Sequence, residues 1–136
     1  MNGKEPAIRV VNLEKSFNGN RVLKGVNLDI AGGEITVIIG PSGSGKSVLI
    51  KHIIGLLRPD SGEVFVEGKA IFELEEAEFR FLRKKFGMLF QQSALFDSMT
   101  VLENITFPLQ EHTSFPAQKM TELAIERLEL LGLHNV

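Results

Sequence analysis

One stretch of eight residues has the residue types and the spacing that wrap a chain of phosphates. It fits the pattern G-x-x-x-x-G-K-[ST] and consists of Gly40, Pro41, Ser42, Gly43, Ser44, Gly45, Lys46 and Ser47. Glycines let backbone N–H groups approach a phosphate closely at the positive end of a helix. A lysine then adds a mobile charge for the β- and γ-phosphates, and a serine offers its hydroxyl to Mg²⁺. The stretch therefore predicts a binding loop for a nucleotide that carries magnesium.

The segments beside this loop predict the elements that hold it in place. Residues 34–39 (EITVII) are short, β-branched and apolar, which predicts a buried strand. Residues 48–57 (VLIKHIIGLL) predict a mostly buried helix. Strand, glycine loop and helix form the context that the motif requires. The alternative is a glycine-rich turn that binds nothing, and these flanking elements disfavour it.

The rest of the chain divides into short predicted elements. Two strand-like runs, from Ala7 to Phe17 and from Arg21 to Ile30, flank an Asn-Gly pair, which predicts a β-hairpin. Further along, the patterns predict a turn at 58–62, a strand at 64–68, a helix at 72–85, a buried strand at 87–90, and a final helix that begins at 114–116 and stops at Gly132.

Composition excludes several classes of protein. The 136 residues suit one domain. Their net charge of −2 lacks the excess of positive charge that is typical of proteins that bind nucleic acids. The chain has no cysteine, which excludes disulfides and thiolate metal sites. Its three histidines lack metal-ligand spacing, no apolar run approaches a membrane span of ~20 residues, and the N-terminus has no signal-peptide pattern.

Four segments follow one another in an order typical of one family. They are residues 15–17 (KSF) with 22–28 (VLKGVNL), the loop 40–47, residues 58–64 (RPDSGEV), and residues 88–91 (MLFQ) with 94–96 (ALF) and 100–105 (TVLENI). Together they resemble the ATP-binding subunit of an ABC transporter. The resemblance runs from about Ile8 to the last residue.

The resemblance implies an α/β fold, that of a P-loop NTPase of the ABC ATPase type. An N-terminal antiparallel β-subdomain would precede the loop, and the start of a helical subdomain would follow it. After a tail over residues 1–6, residues 7–136 would form a partial ATP-binding domain. Its β-subdomain and P-loop core would span 7–92, and the Q-loop with the start of the helical subdomain would span 91–136.

The resemblance also assigns roles to residues, with ATP and Mg²⁺ as the cofactors. Phe17 would stack on the adenine, although it could instead be a strand aromatic packed into the small sheet. Val22 and Val48 would also contact the nucleotide. Gln91 would join Ser47 at Mg²⁺ and position the attacking water, so that Lys46 and Gln91 are the implied catalytic residues. The alternative for Gln91 is a loop glutamine without a ligand.

Residues 89–101, with 107–112, resemble the ATPases of Mla-type systems, which move phospholipids between bacterial membranes. Transmembrane permease subunits would then contact the Q-loop region, where the apolar residues after Gln91 could instead be local core. A second ATPase subunit would complete a head-to-tail dimer on the cytoplasmic face of the inner membrane.

The sequence departs from the family pattern in its second half. It contains no LSGGQ-type signature, no apolar strand that ends in Asp-Glu, and no switch histidine. We interpret the chain as an N-terminal portion that binds ATP with little or no turnover, since hydrolysis needs a carboxylate to polarise water. The alternatives are a non-hydrolysing nucleotide-binding fragment or regulatory module, a different P-loop enzyme such as a small-molecule kinase, and an ABC-type DNA-repair ATPase. The hairpin and Gln91 disfavour the kinase, and the absence of coiled-coil insertions and basic surface disfavours the DNA-repair ATPase.

Overall fold

The structure, a computed structural model, describes residues 5–90 and 94–133. The chain divides into two compact units, residues 1–87 and 88–136. The first unit contains a four-stranded antiparallel sheet in the order β2-β1-β3-β4. Its strands are β1 (Ile8–Phe17), β2 (Asn20–Ile30), β3 (Ser61–Val66) and β4 (Lys69–Ala70). Strands β1 and β2 form the N-terminal antiparallel part that the sequence predicts before the loop 40–47, and β3 and β4, which follow the loop, extend the same sheet.

The predicted hairpin is confirmed between β1 and β2. Phe17 pairs with Asn20, and the two residues between them have positive φ angles, 49° at Asn18 and 81° at Gly19. Two successive positive φ angles define a type I′ turn, whose twist matches that of the flanking strands. The Asn-Gly pair therefore sets the pairing next to the turn, Phe17 with Asn20 and Ser16 with Arg21, before the ladder becomes irregular between Ser16 and Lys15.

Two helices accompany this sheet: α1 (Lys46–Ile53) and α2 (Glu76–Arg83). Helix α2 is shorter than the predicted 72–85, because the chain still turns after β4, where the Glu73 N–H donates to the Ala70 carbonyl. Apolar side chains from strands and helices share one buried cluster, which consists of Val10, Leu13, Leu23, Leu49, Ile53, Val64, Val66, Ile71 and Leu82.

The two buried strands predicted at 34–39 and 87–90 are wrong. Neither segment forms a strand in the structure, and most of their apolar side chains are exposed, including Ile35 (94%), Ile39 (89%) and Leu89 (94%), although Ile38 is half-buried against the core. A buried strand needs neighbours that satisfy its backbone groups and cover both faces. Within the described residues no strand lies beside either segment, so an apolar, β-branched sequence is not sufficient to form one here.

The second unit is built on a pair of helices, α3 (Val101–His112) and α4 (Ala117–Leu130). A capping box begins α3: the Glu103 N–H donates to Thr100 Oγ1 (3.2 Å) and the Thr100 N–H donates to Glu103 Oε2 (2.7 Å). The predicted stop of α4 at Gly132 is confirmed, since its N–H donates to the Glu129 carbonyl (2.9 Å) at a φ of 72°. Among the described residues, no helix has the length and apolar character needed to cross a membrane.

Candidate nucleotide-binding site

The loop 40–47 leads directly into the N-terminus of α1. Gly45 is the N-cap residue, and its carbonyl accepts the first hydrogen bond of the helix from the Leu49 N–H (2.8 Å). No side chain caps this end, and no acidic residue lies in the first turn. The N–H groups of Lys46, Ser47 and Val48 therefore have no acceptor within the helix, and the helix dipole gives this end partial positive charge. Such an end binds anions.

Gly45 brings the loop against the hairpin. Its φ is 92°, and a Cβ added there would lie 3.0 Å from Val22 Cγ1 and 3.1 Å from Leu23 Cδ2. Both distances are shorter than ordinary contacts between carbon atoms (~3.5–4.0 Å). A glycine is thus required here twice, for its left-handed backbone and for the close approach of β2. This contact places the predicted nucleotide contact Val22 beside the loop.

Lys46 lies across the loop that precedes it. Its Nζ donates to the carbonyls of Gly40 (2.8 Å) and Pro41 (2.7 Å) and lies 3.5 Å from Ser44 Oγ. A Cβ on Gly40 would come within 2.9 Å of that same hydroxyl oxygen. The loop therefore curls closely around an ammonium group, and a side chain on Gly40 would fill part of the cradle. The residue types and the geometry fit a phosphate group.

The remaining loop residues are open to solvent. Pro41, Ser42, Gly43 and Ser47 are exposed, so a ligand can reach the backbone and hydroxyl groups without displacing a core residue. Among the described residues no group of three or more His, Cys, Asp or Glu side chains could hold a metal ion. Of the two residues predicted to hold Mg²⁺, Ser47 is the one that the structure describes, and its exposed side chain leaves the hydroxyl accessible to an ion bound with the nucleotide.

Phe17 is at the end of β1, next to the hairpin turn. Its side chain is 41% exposed, and Lys15 Nζ lies 5.7 Å from the ring centroid. A ring packed into the sheet would be covered, so this exposure supports a platform for a flat ligand. Phe17 and Val22 lie on the two paired strands of the hairpin, and Val22 in turn approaches Gly45.

The family model described as ABC transporter matches residues 23–136. The chain belongs to the ABC transporter family. It is 46% identical over 93% of its length to a probable ribonucleotide transport ATP-binding protein, mkl, of Mycobacterium leprae. It is 39% identical over 94% of its length to the intermembrane phospholipid transport system ATP-binding protein MlaF of Haemophilus influenzae. The family and the Mla-type resemblance predicted from sequence are confirmed, and membership sets aside the small-molecule kinase.

A solved structure shares the fold of this ABC transporter family member. The ATP-binding cassette MJ0796, whose dimer was solved in a post-hydrolysis state with ADP and Pi, matches 94% of the chain with a TM-score of 0.83 and 32% identity. The predicted fold class, a P-loop NTPase of the ABC ATPase type, is confirmed. The chain covers 58% of that cassette, 37% of mkl and 48% of MlaF, so it spans about half the length of these relatives or less.

Gln91, the predicted ligand of Mg²⁺ and of the attacking water, lies outside the described residues. The structure therefore places the loop residues, Phe17 and Val22 within the first unit of this ABC ATPase chain, and the role of Gln91 stays a prediction.

The structure also brings together polar residues that the sequence analysis did not connect. Lys15 Nζ forms an ion pair with Asp60 Oδ1 (2.7 Å), and the Ser16 N–H donates to Asp60 Oδ2 (2.7 Å). The hydrogen bond from Lys15, followed by that from Ser16, lowers the pKa of Asp60 below its ordinary value. The paired residues are 45 positions apart, so no local pattern in the sequence could have indicated this contact.

His52 is the other polar residue with an unexpected position. Its side chain is fully buried on α1, and Nδ1 lies 2.7 Å from the Val48 carbonyl oxygen. Because a carbonyl only accepts, Nδ1 carries the proton and Nε2 presents a lone pair, which has no partner among the described residues. Burial lowers the pKa of His52, and the Val48 carbonyl opposes this shift. The ring is therefore neutral near pH 7.

Proposed function

We propose that this chain is the nucleotide-binding part of an ABC transporter subunit that binds ATP with Mg²⁺ and, in the full-length protein, hydrolyses it. One observation carries the proposal: the uncapped N-terminus of α1 opens into a glycine loop that curls around the Lys46 ammonium. Free N–H groups and a mobile cation at one place suit the β- and γ-phosphates. Family membership and the match to a cassette solved with ADP and Pi support the same ligand class.

Each residue of the site would have a distinct role. The N–H groups of the loop and of Lys46, Ser47 and Val48 would bind phosphate oxygens, and the Lys46 ammonium would leave the loop carbonyls to contact the β- and γ-phosphates. Ser47 and Gln91 would hold Mg²⁺, which when bound neutralises charge on the phosphates. Phe17 and Val22 would contact the base. Gln91 would also orient the attacking water.

For the 136-residue chain by itself we propose binding with little or no turnover. Its sequence contains no apolar run that ends in adjacent carboxylates, and in-line attack on the γ-phosphate depends on a group that positions the water. Turnover is therefore assigned to the full-length protein, as a head-to-tail dimer. The dimeric structure of the MJ0796 cassette supports a dimer, and the head-to-tail arrangement is part of the proposal.

Phospholipid is the cargo that we propose for the complete transporter. The likeness of residues 89–101 and 107–112 to Mla-type ATPases and the 39% identity to MlaF support it, whereas the name of mkl refers to ribonucleotide transport. Permease subunits would contact the Q-loop region from the cytoplasmic face of the inner membrane. ATP-dependent transfer of a fluorescent phospholipid by the complete transporter in proteoliposomes tests this choice. Transfer of a labelled ribonucleotide, with no transfer of lipid, would contradict it.

The site itself is tested by calorimetric titration of MgATP into the chain. We expect one-to-one binding, and we expect Lys46→Ala to raise Kd by about 10- to 100-fold, since a hydrogen bond to a charged group contributes roughly 1.5–3 kcal/mol. Lys51→Ala is the matched control, because Lys51 is an exposed lysine in the last turn of the same helix. Its Kd should stay within about twofold of the wild type. Equal effects of the two substitutions, or no binding by a folded chain, would refute the site.

A further inference from the structure

The end of β1 that carries Phe17 is tied to the turn that follows α1. Asp60, in that turn, accepts hydrogen bonds on both carboxylate oxygens, from Lys15 Nζ (2.7 Å) and from the Ser16 N–H (2.7 Å). One carboxylate thus holds the two residues that immediately precede Phe17. The backbone and the side chain of β1 are both fixed at this point.

Further hydrogen bonds run between the same two segments. Lys15 Nζ also donates to the Arg58 carbonyl (2.9 Å), and the Asp60 N–H donates to the Glu14 carbonyl (3.0 Å). The Lys15 side chain is only 15% exposed, whereas the basic side chain of every other ion pair in the described residues is at least 45% exposed. Partial burial reduces screening by water and salt, so this ion pair is more strongly fixed than an ordinary surface pair.

The lysine of this link also contacts the proposed base platform. Residues two apart on a strand point to the same face, and Lys15 Nζ lies 5.7 Å from the centroid of the Phe17 ring. A cation at that distance interacts favourably with an aromatic face. The same ammonium therefore contacts the ring, the Asp60 carboxylate and the backbone of the turn after α1.

We propose that Lys15 and Asp60 are positioning residues for the nucleotide base, holding the Phe17 ring in a fixed orientation relative to α1, whose N-terminus binds the phosphates. This inference rests on the proposed function, because it assumes that ATP lies on the loop with its base on Phe17. Preorganising the ring removes the cost of ordering it when the base binds. The two residues touch no phosphate in this scheme and act only through Phe17.

Positioning and a simple charge effect predict different changes in ligand affinity when Lys15 or Asp60 is substituted. Removing the Lys15 cation would weaken binding of an anion through space, whereas removing the Asp60 anion would strengthen it. Positioning predicts the same direction for both changes, because either one breaks the link. It also predicts an effect only on ligands that carry a base.

The test compares MgATP with magnesium tripolyphosphate, which has the phosphates but no base, by calorimetric titration. For Lys15→Met and for Asp60→Asn we expect a roughly 3- to 10-fold rise in the Kd of MgATP, the change expected when one side chain loses its preorganisation. The Kd of tripolyphosphate should change less than about twofold. Arg9→Met is the control, since Arg9 lies on the same strand as Lys15 and the substitution breaks its ion pair with Asp29 of β2. It should change neither Kd.

A second set of variants separates positioning from folding. In a Phe17→Ala background, Lys15→Met should add less than about twofold to the Kd of MgATP, because its effect passes through the ring. Lys15→Arg keeps the cation and should restore most of the affinity. If Asp60→Asn does not fold, as judged by circular dichroism, the Lys15 variants in both backgrounds still decide the matter.

Two results would overturn the inference without touching the proposed function. These are equal losses for both ligands and opposite effects of Lys15→Met and Asp60→Asn. Wild-type binding of ATP no tighter than that of tripolyphosphate would overturn the inference and also the proposed base contacts of Phe17 and Val22, while leaving phosphate binding by the loop in place. A wild-type chain that is folded but binds neither ligand would instead refute the proposed function itself, and the inference with it.

Discussion

Gly45→Ala tests how the hairpin supports the phosphate loop. An alanine there would have to adopt a φ of 92°, and its Cβ would lie 3.0 Å from Val22 Cγ1 and 3.1 Å from Leu23 Cδ2. The left-handed conformation costs about 1–2 kcal/mol for a residue with a Cβ. Inserting a methyl group into a packed contact adds about 1–3 kcal/mol. We therefore expect the free energy of unfolding to fall by about 2–5 kcal/mol.

Gly33→Ala is the matched control for this substitution. Gly33 also has a positive φ, 78°, but a Cβ added there would meet nothing within 4 Å. Only the conformational cost remains, so the expected loss is about 1–2 kcal/mol. The difference between the two variants in the free energy of unfolding measures the contact of the loop with β2, because the cost of the left-handed backbone is common to both.

Urea unfolding followed by far-ultraviolet circular dichroism provides the measurement, because the chain has no Trp and no Tyr for fluorescence. The Kd of MgATP should rise in Gly45→Ala and stay near the wild-type value in Gly33→Ala, since only the first variant displaces the N-terminus of α1. Equal losses of stability in the two variants would show that β2 does not pack closely against Gly45, which would refute the proposed support of the loop by the hairpin.

Three further predictions concern other parts of the chain. Gln91→Ala should leave the Kd of ATP nearly unchanged and alter how that Kd depends on the Mg²⁺ concentration. A large loss of ATP affinity measured without Mg²⁺ would contradict the assigned role, because Gln91 is proposed to act through the metal ion. Burial lowers the pKa of His52 below its ordinary value of 6.5, so the unfolded chain binds more protons and the free energy of unfolding should fall as the pH drops below 6.5. Urea unfolding of His52→Leu over this pH range should show a shallower decline than the wild type, and an equally steep decline would contradict the prediction. Thr100→Ala removes the N-cap of α3 and should cost about 1 kcal/mol, with a smaller helical signal at 222 nm on heating, and an unchanged melting curve would contradict the capping box.

Local signals predicted the parts of the fold that depend on a few adjacent residues. The turn at Asn18 and Gly19, the phosphate loop and the end of α4 at Gly132 each follow from backbone conformations that only certain residues adopt readily. The start of α3 has such a signal too, the Thr100–Glu103 capping box, although this helix is not among the elements predicted from the sequence. Local chemistry was therefore sufficient wherever the structure is decided locally.

The wrong predictions depend on contacts distant in sequence. Residues 34–39 and 87–90 have strand-like composition, yet no described strand pairs with them, and most of their apolar side chains are exposed. The contact between Lys15 and Asp60 was not predicted for a related reason, because the two residues are 45 positions apart in the sequence. Composition indicates what a segment can form, and the presence of a neighbour decides whether it does.

The contacts of the hairpin explain how the loop keeps its shape without a paired strand before it. At the N-terminus of α1, Val22 of β2 approaches Gly45; beyond the C-terminus, Lys15 of β1 binds Asp60. The hairpin therefore contacts α1 at one end and the turn after it at the other. The base contacts proposed for the hairpin and the phosphate contacts proposed for α1 would thus depend on the same packing. Loosening either contact should weaken ATP binding more than the loss of one side chain would suggest, because the two halves of the site would no longer be held in register.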